Sequence, residues 1–268
     1  MRIVYCLDSL GSGGIEQITI VKANALAEIE GNRVWLLYTD LPMSGGFHIP
    51  SEKVHLMDLG IRYKDNHLKF PWSLFRYKRD NRRHKEKVFV ALKEINPDIV
   101  VSTGMREKYF LYTLKGNWAV LRELHVSKGV RFLTAKSLRD KLVVRFLEKK
   151  EFHGLLEKYD RIIVLSQYEK EASWHNDPRV VVIPNPATIR NGKISSLNPK
   201  RIVAAGRLES GKNYDSLIRM FGALPNRFND WTLHIYGEGT QKRSLAALIN
   251  KSGLKERVFL DGFVSDME

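Results

Sequence analysis

The sequence predicts an α/β protein built from two successive units, each a parallel sheet covered by helices. Three observations carry this prediction. Short apolar runs of the kind that form strands buried on both faces alternate with stretches of helical periodicity. Glycine-rich turns follow several of those runs, as strand-to-helix connections in such sheets do. A polar, unpatterned stretch from Ala187 to Pro199 interrupts the rhythm, which then restarts.

Taken in order, Arg2 to Leu7 is the first apolar run, and Gly11, Ser12, Gly13 and Gly14 come after it. Ile15, Ile18, Ala25, Leu26 and Ile29 are expected to trace the buried face of the next helix, which Gly31-Asn32 ends. Arg33 to Tyr38 supplies a second strand and completes a unit of the nucleotide-binding type. The turn is not the dinucleotide fingerprint, because the third glycine of that pattern would fall on Glu16. Gly13 and Gly14 would let a phosphate or sugar approach the backbone closely; a plain tight turn is the alternative reading.

A third strand is expected at Lys53 to Asp58, followed by the basic segment Arg76 to Lys87, RYKRDNRRHKEK. This is either a solvated helical face or a surface for anionic lipid, with Phe70, Trp72, Phe75 and Tyr77 as interfacial anchors. Single-stranded nucleic acid would use the same residue types. Asp98 to Ser102 and Trp118 to Leu124 read as further strands, the latter ending at His125. A histidine just past the carboxyl end of a parallel strand lies where ligands bind in open α/β sheets.

Lys136 to Lys150 is a second basic helical region, with Leu138, Leu142, Val143, Phe146 and Leu147 on one side. Arg139, Lys141, Arg145, Lys149 and Lys150 occupy the other. Arg161 to Leu165 and Arg179 to Ile183 close the first domain, residues 1–185; residues 186–199 read as a linker, and 200–268 as a second domain. In the latter, strands are expected at Arg201 to Ala205, Trp231 to Tyr236 and Arg257 to Leu260, with a helix over Lys242 to Ile249. Three strands are few for such a sheet, so the second domain is expected to be incomplete.

Composition narrows the function classes. The chain has 268 residues, 44 Lys and Arg against 30 Asp and Glu, and a formal charge of +14, which favours polyanionic partners. Its single cysteine, Cys6, lies inside a strand pattern, excludes an internal disulfide framework and reads as a buried thiol. No apolar run is long enough to cross a bilayer, and the start does not read as a secretory signal, so a cytoplasmic protein is expected.

The stretch Arg201 to Phe221, RIVAAGRLESGKNYDSLIRMF, holds most of the chemical information. A buried strand, a loop carrying Arg207 and Lys212, and a helix N-terminus together make an anion site suited to a phosphate or diphosphate. Gly206 through Lys212 also matches the first seven positions of a P-loop. Asn213, however, stands where Ser or Thr would hold magnesium, which argues against an NTPase.

These residues, read together, resemble glycosyltransferase family 4, retaining nucleotide-sugar transferases with two Rossmann-like domains in the GT-B architecture. Gly13-Gly14-Ile15-Glu16 is similar to the family's GGxE loop, and His125 falls at its sugar-site histidine. Ser166 and Ile183-Pro184-Asn185-Pro186 resemble its strand-end serine and PN hinge. Gly206-Arg207-Leu208 with Lys212-Asn213 is similar to its diphosphate clamp. Tyr236-Gly237-Glu238-Gly239 resembles its turn near the base, and Val258 to Val264 its next strand and loop.

The resemblance implies that Arg207 and Lys212 hold the diphosphate of a donor such as a UDP-sugar. It also implies that Gly13 and Gly14 bring backbone amides toward that diphosphate, that His125 contacts the sugar, and that Gly237, Glu238 and Gly239 lie near the base. No metal or other cofactor is expected, because the fixed cations can neutralise the leaving diphosphate. The implied reaction transfers a sugar with retention to a glycan or lipid-linked acceptor, in surface polysaccharide synthesis at the inner membrane face. A nucleotide-sugar epimerase of the same architecture and a basic nucleic-acid-binding protein are the alternatives. The family's glutamate pair would lie some thirty residues beyond Gly262, so this chain is expected to bind nucleotide weakly and turn over little.

Overall fold

In a computed structural model, the residues described are 1–11, 13–40, 49–63, 72–128, 137–152, 154–187 and 199–264. The chain divides into two compact units, Met1–Thr188 and Ile189–Glu268. Both are α/β with all-parallel sheets, as two Rossmann-like domains require.

The described residues of the first unit form seven strands: β1 (Arg2–Leu7), β2 (Arg33–Tyr38), β3 (Val54–Asp58), β4 (Ile99–Ser102), β5 (Ala119–Glu123), β6 (Arg161–Val164) and β7 (Val180–Val182). Their order is β3-β2-β1-β4-β5-β6-β7, so the winding reverses between β1 and β4. Among the described residues, its helices are α1 (Gly14–Ala27), α2 (Trp72–Ile95), α3 (Leu138–Phe152), α4 (Leu155–Lys158) and α5 (Gln167–Trp174).

Because strand side chains alternate, the apolar runs feed two cores, one on each face of the sheet. Ile3, Tyr5 and Leu7 pack with Ile20, Ala23 and Ala27 of α1. Val4 and Cys6 pack on the other face with Val88, Leu92 and Ile95 of α2. Cys6 is buried, and burial followed by the nearby Glu107 charge pushes its thiol well above its usual range, which leaves it unreactive.

The structure corrects the expected face of α1. Gln17, Thr19, Ile20, Ala23 and Ala27 are buried, whereas Ala25 is exposed and Ile29 lies beyond the helix, 55% exposed. Polar groups share the inner face because their hydrogen bonds are met locally. Gln17 Nε2 donates to Gly11 O at 2.7 Å, and Thr19 Oγ1 donates to Ile15 O at 2.8 Å. Hydrophobic periodicity alone therefore phases this helix wrongly.

The second unit contains β8 (Arg201–Ala205), β9 (Thr232–Tyr236) and β10 (Val258–Gly262) in the order β10-β9-β8. Helices α6 (Tyr214–Gly222) and α7 (Lys242–Lys251) cover one face through Ile218, Phe221, Leu245 and Ile249. Val203, on β8, remains 53% exposed. Strand limits expected from the sequence shift by one or two residues at Val54, Ile99, Ala119, Val180, Thr232 and Val258. The basic segment from Arg76 is part of a longer helix than expected. Phe70, Ser12, Lys136 and the expected linker between residues 188 and 198 lie outside the described residues, as do the side chains of Trp72, Arg139, Leu147 and Lys150.

Two glycines in this unit answer to backbone packing. A Cβ on Gly237 would lie 2.0 Å from Gly206 O, and one on Gly239 would lie 2.5 Å from Leu208 O. Gly237 also has φ of +142, a conformation that L side chains rarely adopt. Gly237→Ala should therefore destabilise the second unit by about 3 kcal/mol or more. Thermal melting should show the loss directly; an unchanged melting temperature would mean that the two backbones can separate at little cost.

In the first unit, His84 is buried on α2 between Tyr63 and Phe110. Burial, assisted by the Arg106 charge, holds its imidazole down at about 3. The unfolded chain titrates near 6.5, so between those values it binds more protons than the native state. Stability is therefore lost as pH falls below about 6.5. Urea denaturation should show about 2 kcal/mol lost between pH 7 and pH 5 on account of this group. His84→Phe should flatten that slope, and an unaltered slope would assign it elsewhere.

Candidate functional site

The first unit assembles polar groups at the carboxyl ends of β1, β4 and β5, beside the reversal in strand order where open sheets bind ligands. Gly13 is the N-cap of α1, with extended backbone angles and no side-chain cap. A Cβ on Gly14 would meet nothing within 4 Å, so packing within the chain does not demand this glycine. A Cβ on Gly13, in contrast, would collide with the Glu16 carboxylate at 2.1 Å.

His125 follows β5, and its Nε2 lies 3.1 Å from Glu123 Oε1, without the alignment of a hydrogen bond. Lys22, from α1, donates to the same oxygen at 2.5 Å. Burial pushes the Glu123 carboxyl upward, but His125 and Lys22 outweigh it, and the group ends below its usual value. The carboxylate thus ties α1 to the end of β5. His125 also lines a hollow of about 30 Å³ with Ile15, Thr103, Arg122 and Phe152, room for roughly one water.

Sequence reasoning missed the network behind this hollow. Glu107 is 1% exposed, and its Oε1 accepts from Ser102 Oγ and from Gly104 N, each at 2.8 Å. Arg122 Nη1 donates to Ser102 Oγ and Gly104 O, each at 2.7 Å, and lies 3.8 Å from Glu107 Oε1. Asp8, at the end of β1, accepts from Met105 N through Oδ2. Its Oδ1 and Glu107 Oε2 are both buried without a hydrogen bond. Burial and the Asp8 charge raise the Glu107 carboxyl, against the pull of Arg122. No local motif marks Glu107 or Arg122, because only strand pairing brings them together.

In the second unit, two loops are joined edge to edge. Gly206 N donates to Tyr236 O at 3.0 Å, Leu208 N to Glu238 O at 2.9 Å, and Gln241 N to Leu208 O at 2.9 Å. Glu209 adds a side-chain link, accepting from Thr240 N and Thr240 Oγ1. Those bonds hold the Glu209 carboxyl below its usual value. Gly237 and Gly239 make this close approach possible, which is an internal reason for both glycines.

Arg207 and Lys212 project from this joined loop and are exposed. Neither side chain forms a hydrogen bond or ion pair with the described residues, although the Arg207 charge acts on Glu209. The Lys212 side chain folds back toward Gly206, its Cε 3.8 Å from where a Cβ there would stand. Ser210–Lys212 is one 3-10 turn, and Asn213 then enters the left-handed region at φ 55 before α6 begins. Asn tolerates that conformation well, which accounts for its place at the helix start. Glu238 is paired with Lys242 at 2.6 Å.

Ser166 caps α5, its Oγ accepting from Glu169 N at 3.1 Å. Pro184 and Asn185 are exposed just after β7. In the first unit Ile15, next to Gly13 and Gly14 in the chain, shares a hollow with His125, and in the second Arg207, Lys212, Gly237, Glu238 and Gly239 lie on the two joined loops. Among the described residues, no group of three His, Cys, Asp or Glu side chains is arranged to hold a metal ion.

Comparison with known proteins supplies a family context. A family model described as "Glycosyl transferases group 1" matches residues 187–268. Over 262 residues the chain is 25% identical to an uncharacterized glycosyltransferase of Haemophilus influenzae, spanning 96% of this chain and 67% of that protein. Over 68 residues it is 44% identical to N-acetylgalactosamine-N,N'-diacetylbacillosaminyl-diphospho-undecaprenol 4-alpha-N-acetylgalactosaminyltransferase of Campylobacter jejuni, covering 25% of this chain and 18% of that enzyme. S. aureus TarM, crystallised with fondaparinux, alpha-GlcNAc-glycerol and UDP, superposes with a TM-score of 0.72 at 12% identity, over 98% of this chain and 78% of TarM. The fold is that of the GT-B glycosyltransferases, and residues 187–268 are similar to the group 1 glycosyl transferases.

Proposed function

We propose that this protein moves a sugar from a UDP-sugar donor to a glycan or lipid-linked acceptor, with retention at the anomeric carbon, in building a cell-surface polysaccharide. The observation that carries the reading is the pair Arg207 and Lys212: two exposed cations without an ion-pair partner among the described residues, on a loop held by backbone hydrogen bonds, just before a helix N-terminus. Cleavage of the donor bond leaves a nucleoside diphosphate. Fixed cations stabilise its growing charge without reorganising at the moment of reaction. In this reading no metal is required, Gly13 and Gly14 offer backbone amides to the diphosphate, and His125 contacts the sugar.

The comparisons support the donor and the setting. UDP accompanies the TarM structure, and a Staphylococcus aureus relative is named poly(ribitol-phosphate) alpha-N-acetylglucosaminyltransferase. The Campylobacter relative's name gives a diphospho-undecaprenol acceptor. Isothermal titration with UDP provides the test. Arg207→Ala and Lys212→Ala should each weaken binding roughly tenfold or more, since each removes a charge-assisted contact. Unchanged UDP affinity in both variants would refute the role given to this loop.

We also assign the first unit to the inner face of the membrane. Helix α3 presents Leu138, Leu142, Val143 and Phe146 to solvent, with Leu138 83% exposed, beside Lys141, Arg145 and Lys149. An exposed apolar row flanked by cations suits shallow burial in an anionic interface. None of the helices described is long and apolar enough to cross a membrane. Co-sedimentation with phosphatidylglycerol vesicles should exceed that with phosphatidylcholine vesicles, and Leu142→Glu/Phe146→Glu should abolish the difference. Equal sedimentation with both vesicle types would remove the membrane assignment.

A further inference from the structure

Four arginines of the first unit converge away from Gly13, Gly14 and His125. Arg62, Arg76, Arg79 and Arg83 line an open hollow of about 370 Å³ together with Ile61 and Asp80. The three helical members are spaced i, i+3 and i+7, which places them on one face of α2. Arg62 comes from the segment after β3. Lys78 and Lys85 of the same helix do not line the hollow, and Lys87 is turned to Leu59 O. Arg82 does not line it either, so the lining is set by the helix face that carries Arg76, Arg79 and Arg83.

The charges do not cancel. Arg62 is bound by both oxygens of Asp58 and donates to Thr39 O at 2.8 Å. Arg79 is paired with Asp80, whose Oδ1 accepts from its Nε and Nη2. Arg76 and Arg83 have no hydrogen-bond or ion-pair partner among the described residues and are exposed. Two positive charges remain uncompensated in one concavity, an arrangement that repels itself until an anion enters.

The backbone reinforces this placement. Arg62 sits in the left-handed region at φ 57, which a non-glycine residue adopts at a cost. Its own N–H is held by Thr39 O at 3.1 Å, and Asp58 fixes its side chain. Thr39 N in turn donates to Asp8 O at the end of β1. Arg62 thus enters the hollow from the same strand-end edge as the Gly13 loop, after β3, two strands over from β1.

We propose that Arg62, Arg76, Arg79 and Arg83 form a second anion subsite, on the first unit, that takes a phosphate monoester or diphosphate group. Guanidinium forks match the paired oxygens of such groups, and two surplus charges match a dianion. The subsite stands independently of the sugar-transfer reading. Its identification with the phosphate of an acceptor rests on that reading.

The test separates the two. Inorganic diphosphate and farnesyl diphosphate are titrated, at fixed ionic strength, into the Arg207→Ala/Lys212→Ala protein, which lacks the cations of the other loop. Binding should persist there, and adding Arg76→Gln/Arg83→Gln should weaken it roughly tenfold or more. Both positions are exposed and Gln keeps helix propensity, so the melting temperature should hold. Diphosphate affinity within twofold after those substitutions, or no binding in the starting variant, overturns the subsite. Tighter binding of farnesyl diphosphate supports the subsite with a lipid-linked ligand, and equal binding supports it with a free phosphate compound. Failure of UDP to bind the wild-type protein would sink the donor reading while leaving this subsite standing.

Discussion

The pairing of β1 with β2 on one side and β4 on the other governs the first unit. Val4 lies opposite Trp35 and Val100, and Cys6 opposite Leu37 and Ser102, so β1 is buried within the sheet and on both its faces. A strand in that position can only be apolar, and its ligand-facing chemistry must come from the loop at its carboxyl end. Asp8 and the Gly13 loop lie at that end of β1, while Ser102, Thr103 and Gly104 occupy the end of β4. Because the winding reverses between these two strands, the chain leaves them in opposite directions and opens a crevice between the departing loops. Glu123, joined to Lys22 and near His125, ties the next strand's end into the same region.

The second unit uses a different constraint, the close approach of two backbones. Glycines at 237 and 239 permit the turn after β9 to bond the loop after β8 directly, main chain to main chain. A loop held this way has few ways to rearrange. That pairing fixes the backbone from which the Arg207 and Lys212 side chains project. Glycines that resemble ligand-contact positions thus have an architectural task as well.

Charge is distributed unevenly in a manner that composition does not disclose. Many cations of α2 and α3 face solvent, but the arginines around Arg62 converge on a hollow. Buried charge is arranged differently, with Arg122, Glu107 and Ser102 satisfying one another behind the crevice. Burial, followed by the neighbouring Asp8 charge, raises the Glu107 carboxyl against the pull of Arg122 and Ser102.

The sequence by itself determined the α/β class, the strand positions to within a residue or two, and the loop from Gly206 to Asn213. These are local properties: apolar runs, glycine spacing and helix-start residues encode them over a few positions. The tertiary structure alone decided the inner face of α1, where Gln17 and Thr19 satisfy their polar groups locally and so defeat hydrophobic periodicity. It likewise decided the union of Asp8, Ser102, Glu107 and Arg122, residues that strand order rather than sequence proximity brings together. It also separated the arginines lining a concavity from those on an open face, because side-chain convergence depends on the packing of α2 against the segment after β3. Local chemistry can be read from neighbours in the chain, whereas a site built from several strand ends exists only once the sheet is assembled.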